Sequence, residues 1–152
     1  MAESFHIDNV TLADLPEGGF RAALRFWLDA KGDRQLPPAS AIDPLKLPRD
    51  ILSSLIVTSV EPGPKRLRVR LVGTAVVNAA GHDFTGQYSE DFDRAENSVA
   101  RLYAAIEKKK PYYYGGPLVW ASNDFQTYRS LIMPFGNEAG EVTRLVGYIQ
   151  FT

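Results

Sequence analysis

The densest set of side chains able to do chemistry is Tyr112, Tyr113, Tyr114, Trp120, Phe125, Tyr128 and Arg129, spread over two neighbouring strand-like segments. Pockets for small ligands are mostly apolar, with a few well-placed polar groups. Tyrosine hydroxyls and the Arg129 guanidinium have that character. The same aromatics also suit plain core packing with cross-strand pairs, and the sequence leaves both readings open. A second set, Arg66, Arg68 and Arg70, alternates along one segment. Three guanidiniums on one strand face form a basic stripe that would suit an anion such as a nucleotide phosphate. The plainer alternative is the solvent face of a half-buried strand, paired with Asp or Glu on its neighbour. The candidate ligand-binding residues are therefore Arg70, Tyr112, Tyr114, Trp120, Tyr128 and Arg129, their faces assigned by strand parity.

Other chemistry is poorly represented. The chain has no Cys, so disulfides, thiolate metal sites, Cys nucleophiles and a flavin–cysteine adduct are ruled out. Its two histidines, His6 and His82, are far apart in sequence. His82 stands alone in the turn AGHDFTG, where a solvated loop histidine is the simpler account than a haem ligand. Two distant histidines also argue against a transition-metal centre. The chain contains no P-loop, GxGxxG, GxSxG or HExxH pattern. Asp91 and Asp93 fit helix capping better than proton sharing. With no nucleophile–base pair, no catalytic residue is assigned and the chain reads as a non-enzyme.

Composition sets the frame. At 152 residues, with 45% hydrophobic and 23% charged residues, the chain suits one soluble globular domain with a single core. A formal net charge of −1 gives no global field to recruit nucleic acid or an anionic membrane. The run Lys108–Lys110 is too short for a nucleic-acid patch. The N-terminus MAESFHIDNV lacks the basic and apolar regions of a signal peptide, and no run of about 18 apolar residues occurs. The expected setting is the cytoplasm.

The elements that must position these residues follow from periodicity. Residues 1–19 read as an irregular lead-in, and residues 20–152 as a single domain. Phe20, Ala23, Leu24, Trp27 and Leu28 fall at helical spacing. A second helical piece is expected near Pro44–Leu55, capped by Asp43 and divided by Pro48. Ile56–Glu61 and Arg66–Val72 read as a hairpin, the latter with Leu67, Val69 and Leu71 on one face. A short helix is expected over Thr74–Ala80. A longer one, capped by Asp91 or Asp93, runs to about Lys109 with Val99, Leu102, Tyr103 and Ile106 as its core stripe. Strands over Tyr112–Ala121, Phe125–Pro134 and Val142–Phe151 close the chain, joined by turns at Ser122–Asp124 and Gly136–Glu141. The predicted class is an antiparallel α+β domain.

This order, with the elements Phe26-Trp27, Leu36-Pro37, Asp43-Pro44, Leu47-Pro48, Arg70-Leu71-Val72-Gly73-Thr74, Thr85-Gly86 and Arg129 to Pro134, resembles the PAS-like domains common in proteobacteria. The resemblance spans roughly residues 20–151. It implies a five-stranded antiparallel sheet with a helical crossover, and a stand-alone sensory or adaptor module. Such a module would hold a small apolar or amphipathic ligand, or none, between the sheet and the helix at 93–109. It would signal through a protein partner in trans or as a homodimer built on the N-terminal helix and the sheet face. Two other classes stay open: a small cone-shaped α+β enzyme resembling the nuclear-transport-factor fold, and a ligand-free protein-interaction adaptor. The helix expected between the second and third strands separates the first of these from the PAS-like order.

Overall fold

Phe20, Ala23, Leu24 and Trp27 do form one face of a helix, and all four are buried. The computed structural model describes residues 4–120 and 127–152. In chain order the elements are β1 (Phe5–Asp8), α1 (Gly19–Lys31), α2 (Arg49–Leu52), β2 (Leu55–Val60), β3 (Leu67–Val72), α3 (Thr74–Ala80), α4 (Glu96–Lys108), β4 (Tyr112–Pro117), β5 (Thr127–Gly136) and β6 (Val142–Phe151). Three 3₁₀ turns, including Ser89–Asp91, complete them. The strands form one antiparallel sheet in the order β1-β4-β5-β6-β2-β3. The fold is the expected α+β class, with a sixth strand where the lead-in was expected to be irregular. The predicted turn at Ser122–Asp124 and Phe125 lie outside the described residues.

Strand alternation sends side chains to two layers. On one face Leu131, Met133, Val146 and Tyr148 meet Phe20, Leu24 and Trp27 of α1. The Trp27 indole N–H donates to the Pro134 carbonyl at 2.7 Å, fixing the helix on the sheet. This sheet face is thus covered by the chain's own α1. Leu28, placed on the core stripe by spacing, is 41% exposed. On the other face Leu67, Ile132 and Leu145 meet the α4 side chains Val99, Leu102 and Ile106. Val69 packs with Val76, Ala80 and Phe84 around α3.

Four expectations need correction. The piece at Pro44–Leu55 is only a turn followed by a four-residue α2. Asp43 Oδ1 accepts the Leu45 amide at 3.0 Å, but Pro48 has no N–H to continue a helix, and Leu55 already belongs to β2. Helix α4 begins at Glu96, after Arg94 takes a left-handed φ of 55°, and neither aspartate caps it. Asp91 instead pairs with Lys65 at 2.9 Å. Leu71 does not share a face with Leu67 and Val69. Thr58 pairs with Val69 but Val57 pairs with Leu71, so Arg70 is the extra residue of a β-bulge and the strand's alternation reverses there. Leu71 accordingly packs in the α1 layer. Finally, β4 ends at Pro117, so Trp120 is carried by the segment after the strand.

Two glycines make the β3–α3 crossover possible. A Cβ on Gly73 would lie 2.2 Å from the Ser53 carbonyl oxygen, so only glycine lets the two chain segments approach this closely. Gly86 has φ +92° and turns the chain back along β3. There its amide donates to Val69 O, and Val69 N–H donates to Gln87 O. That segment covers one sheet edge.

Candidate ligand-binding cavity

Between α4 and the sheet lies a cavity of about 80 Å³. Its walls are Ile56, Val69, Ile132, Leu145 and Ile149 from the sheet, Val99 and Leu102 from α4, and the aromatics Phe84, Phe92, Trp120, Tyr112 and Tyr128. Its polar lining comes from Thr58, Ser89, Ser98, Ser130, the two tyrosines and Arg101. This is the place where sheet and long helix were expected to enclose a ligand.

Parity on β4 and β5 decides which expected residues meet. Tyr112 and Tyr114 share a face of β4, while Tyr113 points to α1. Tyr128 stands on the same face as Tyr114, with ring centroids 5.7 Å apart. Trp120 meets Tyr128 edge-on at 5.3 Å and Phe84 at 6.4 Å. Tyr112, Tyr114, Trp120 and Tyr128 therefore cluster at this cavity, Tyr114 just outside its lining.

Arg129 does not join them. It is one residue off Tyr128 and faces α1, donating to Tyr113 Oη at 3.4 Å and Gln150 Oε1 at 3.1 Å, with its guanidinium 5.2 Å from the Phe20 ring. Arg70 is also elsewhere. Its guanidinium donates to Glu61 Oε2 at 2.8 Å and Ser59 Oγ at 3.0 Å. Arg66 and Arg68 turn to the Glu61 and Gly86 carbonyls, so the three arginines do not converge on one anion. The neighbour-paired account of the stripe holds for Arg70.

The residue that sequence reasoning missed is Arg101. It lies beside the Val99–Leu102–Ile106 stripe, on the flanking row Ser98–Arg101–Ala105. The small residues at Ser98 and Ala105 were the available signal that this row also faces inward. Arg101 donates to Tyr128 Oη at 3.0 Å and Ser98 Oγ at 3.3 Å, and its guanidinium carbon sits 3.6 Å from the Tyr114 ring centroid. Burial raises the Tyr112 pKa well above the ordinary tyrosine value, Tyr128 adding to the effect, so its hydroxyl stays protonated.

Two features frame the cavity. Phe84, Phe92 and Trp120 also line an outer cleft of about 280 Å³ with His82, Asp91 and Arg94, so these three aromatics stand between the cavity and the cleft. His82 belongs to the cleft. At the other end, Glu90 fastens α4 to β3. Its carboxylate accepts the backbone amides of Arg66 (2.9 Å) and Leu67 (3.1 Å) and the Tyr103 hydroxyl. Among the described residues no His, Asp and Glu group is placed to hold a metal, and no helix is long and apolar enough to cross a membrane.

A model of the PAS domain family matches residues 18–150. No curated relative matches the chain. Among solved structures, an RNA-binding light-oxygen-voltage receptor is 17% identical, with 99% of this chain and 39% of that one covered at a TM-score of 0.53. A fungal LOV-domain photoreceptor is 16% identical, with 76% of this chain and 83% of that one covered at a TM-score of 0.50. At these identities the likeness concerns the fold.

Proposed function

We propose that this chain, which belongs to the PAS domain family, is a non-catalytic sensory module whose input is a small amphipathic ligand held between α4 and the sheet. The observation that carries the reading is the cavity itself: apolar walls with tyrosine hydroxyls and one arginine converging at one end. That combination is the usual form of a small-molecule site. The helix between β3 and β4, together with the family match, favours this reading over a cone-shaped enzyme.

A ligand entering a cavity of this size pushes on α4. Tyr103 on that helix is tied through Glu90 to the start of β3, so displacement of α4 is passed to the β2–β3 edge. Occupied and empty forms then differ at an outer surface that a protein partner, or a second copy of the chain in a homodimer, can read. The proposed setting is the cytoplasm.

Native mass spectrometry beside the denatured mass tests retention of a ligand. Titration with butyramide, followed by methyl NMR, tests the cavity. The expected result is a retained small mass, or saturable shifts at Val69, Leu102, Ile132 and Ile149. The absence of both a retained mass and such shifts would overturn the reading in favour of a ligand-free adaptor.

A further inference from the structure

We infer that the ligand of this cavity is a carboxylate on a short apolar body, and that Arg101 is its anchoring cation. The inference rests on the reading of the cavity as a ligand site. Its ground is the charge balance around Arg101. Among the described residues no Asp or Glu lines the cavity. Among the described residues Arg101 is the one Lys or Arg that lines the cavity, and like Arg66, Arg68 and Arg129 it takes part in no ion pair. Its partners are the neutral hydroxyls of Ser98 and Tyr128 and the ring face of Tyr114.

A guanidinium is always charged in proteins and presents five donors in a planar fork. At an apolar wall a permanent charge is costly unless a partner of opposite charge meets it. Stacking on Tyr114 fixes the plane of the fork and offsets part of that cost. A carboxylate fits the fork better than any neutral group, because it accepts two parallel N–H bonds. Tyr112, whose hydroxyl stays protonated, is close enough to Arg101 to share in the same hydrogen-bonded group and adds a neutral O–H donor. The remaining lining includes Val69, Leu102, Ile132 and Leu145, which call for hydrocarbon. The volume of about 80 Å³ keeps that hydrocarbon short.

The test uses the full chain and three probes of similar size, butyrate, its isostere butyramide, and butylammonium, titrated at neutral pH by calorimetry and methyl NMR. Charge-assisted hydrogen bonds exceed neutral ones by enough that butyrate should bind about tenfold or more tighter than butyramide, with butylammonium weakest. Arg101→Gln should remove the preference for butyrate, and Arg101→Lys should keep part of it. Because Arg101→Gln also loosens the Tyr114 and Tyr128 contacts, Ser98→Asp provides an independent check. It supplies an internal carboxylate in the first turn of α4, where acidic residues are favoured, and butyrate affinity should fall to that of butyramide.

Equal binding of butyrate and butyramide overturns the carboxylate inference while leaving the cavity reading intact. A preference for butyrate that survives both Arg101→Gln and Ser98→Asp overturns the role of Arg101. Binding of none of the probes overturns the inference, and together with the absence of a retained mass it overturns the cavity reading as well.

Discussion

Removing the Glu90 carboxylate should loosen the cavity's helical wall. Glu90 lies in the turn Ser89–Asp91 and is half-buried. Its side chain is the acceptor for two backbone amides at the start of β3 and for Tyr103 on α4, and Leu67, which supplies one of those amides, is fully buried. Hydrogen bonds to a charged group contribute about 1.5–3 kcal/mol each when buried. Water reaches part of this site, so Glu90→Ala should cost about 2–4 kcal/mol in all. Tyr103→Phe removes one of the three contacts and should cost about 0.5–1.5 kcal/mol. The two residues touch, so the double variant should be less destabilised than the sum of the singles, by about 1 kcal/mol.

Urea unfolding at neutral pH measures all four corners of that cycle. Burial alone raises the Glu90 pKa, but the Tyr103 hydroxyl and the Arg66 and Leu67 amides outweigh it, leaving it below the ordinary value of 4.5. The folded state then binds this proton less readily than the unfolded state. The stabilisation is present above about pH 4.5 and is lost as pH falls through the folded-state value. The gap between wild type and Glu90→Gln should therefore narrow below pH 4.5. A Glu90→Ala cost under about 0.5 kcal/mol, or strict additivity with Tyr103→Phe, would refute the clamp.

Four further outcomes are expected. Burial and the Glu90 carboxylate push Tyr103 up to about 12, so ultraviolet titration should find a tyrosine that ionises well above the ordinary value of 10, and stability should fall as pH rises from 10 through 12. Trp27→Phe keeps the apolar ring but leaves the buried Pro134 carbonyl without its donor, and thermal or urea unfolding should show a loss of about 1–3 kcal/mol. Gly73→Ala forces a Cβ into the Ser53 carbonyl and should lower the melting temperature by several degrees, about the effect of 1 kcal/mol or more. Arg70→Ala breaks a pair whose arginine side chain is 48% exposed, and should change stability by about 1 kcal/mol or less while leaving butyrate affinity intact.

Local pattern was enough for much of the fold. The 3.6-residue spacing from Phe20 to Trp27 and from Val99 to Ile106, the β-branched run at Ile56, the glycines at 73 and 86 and the order of the elements led to an α+β sheet with a helix between its second and third predicted strands. That helix and sheet also located the cavity. These features are legible because periodicity, turn chemistry and the reach of a glycine are properties of a few adjacent residues.

Other features depend on partners distant in sequence. The four residues of β1 carry little signal alone, and become a strand because β4 offers them an edge, with Phe5 opposite Gly115 and Ile7 opposite Tyr113. Arg70 leaves the alternation of its neighbours because β2 pairs with β3 through a bulge, an event that neither strand encodes by itself. One residue of parity separates Tyr128, inside the cavity, from Arg129, which turns to α1. Arg101 was hidden because a charged residue on a helix is ordinarily assigned to solvent. Only the packing of α4 over Tyr114 and Tyr128 turns that guanidinium inward. The sequence by itself determined helices α1, α3 and α4, five of the six strands and the aromatic character of the site. The tertiary structure decided which polar groups enter it, because facing depends on register between strands and on how one helix is rotated over them.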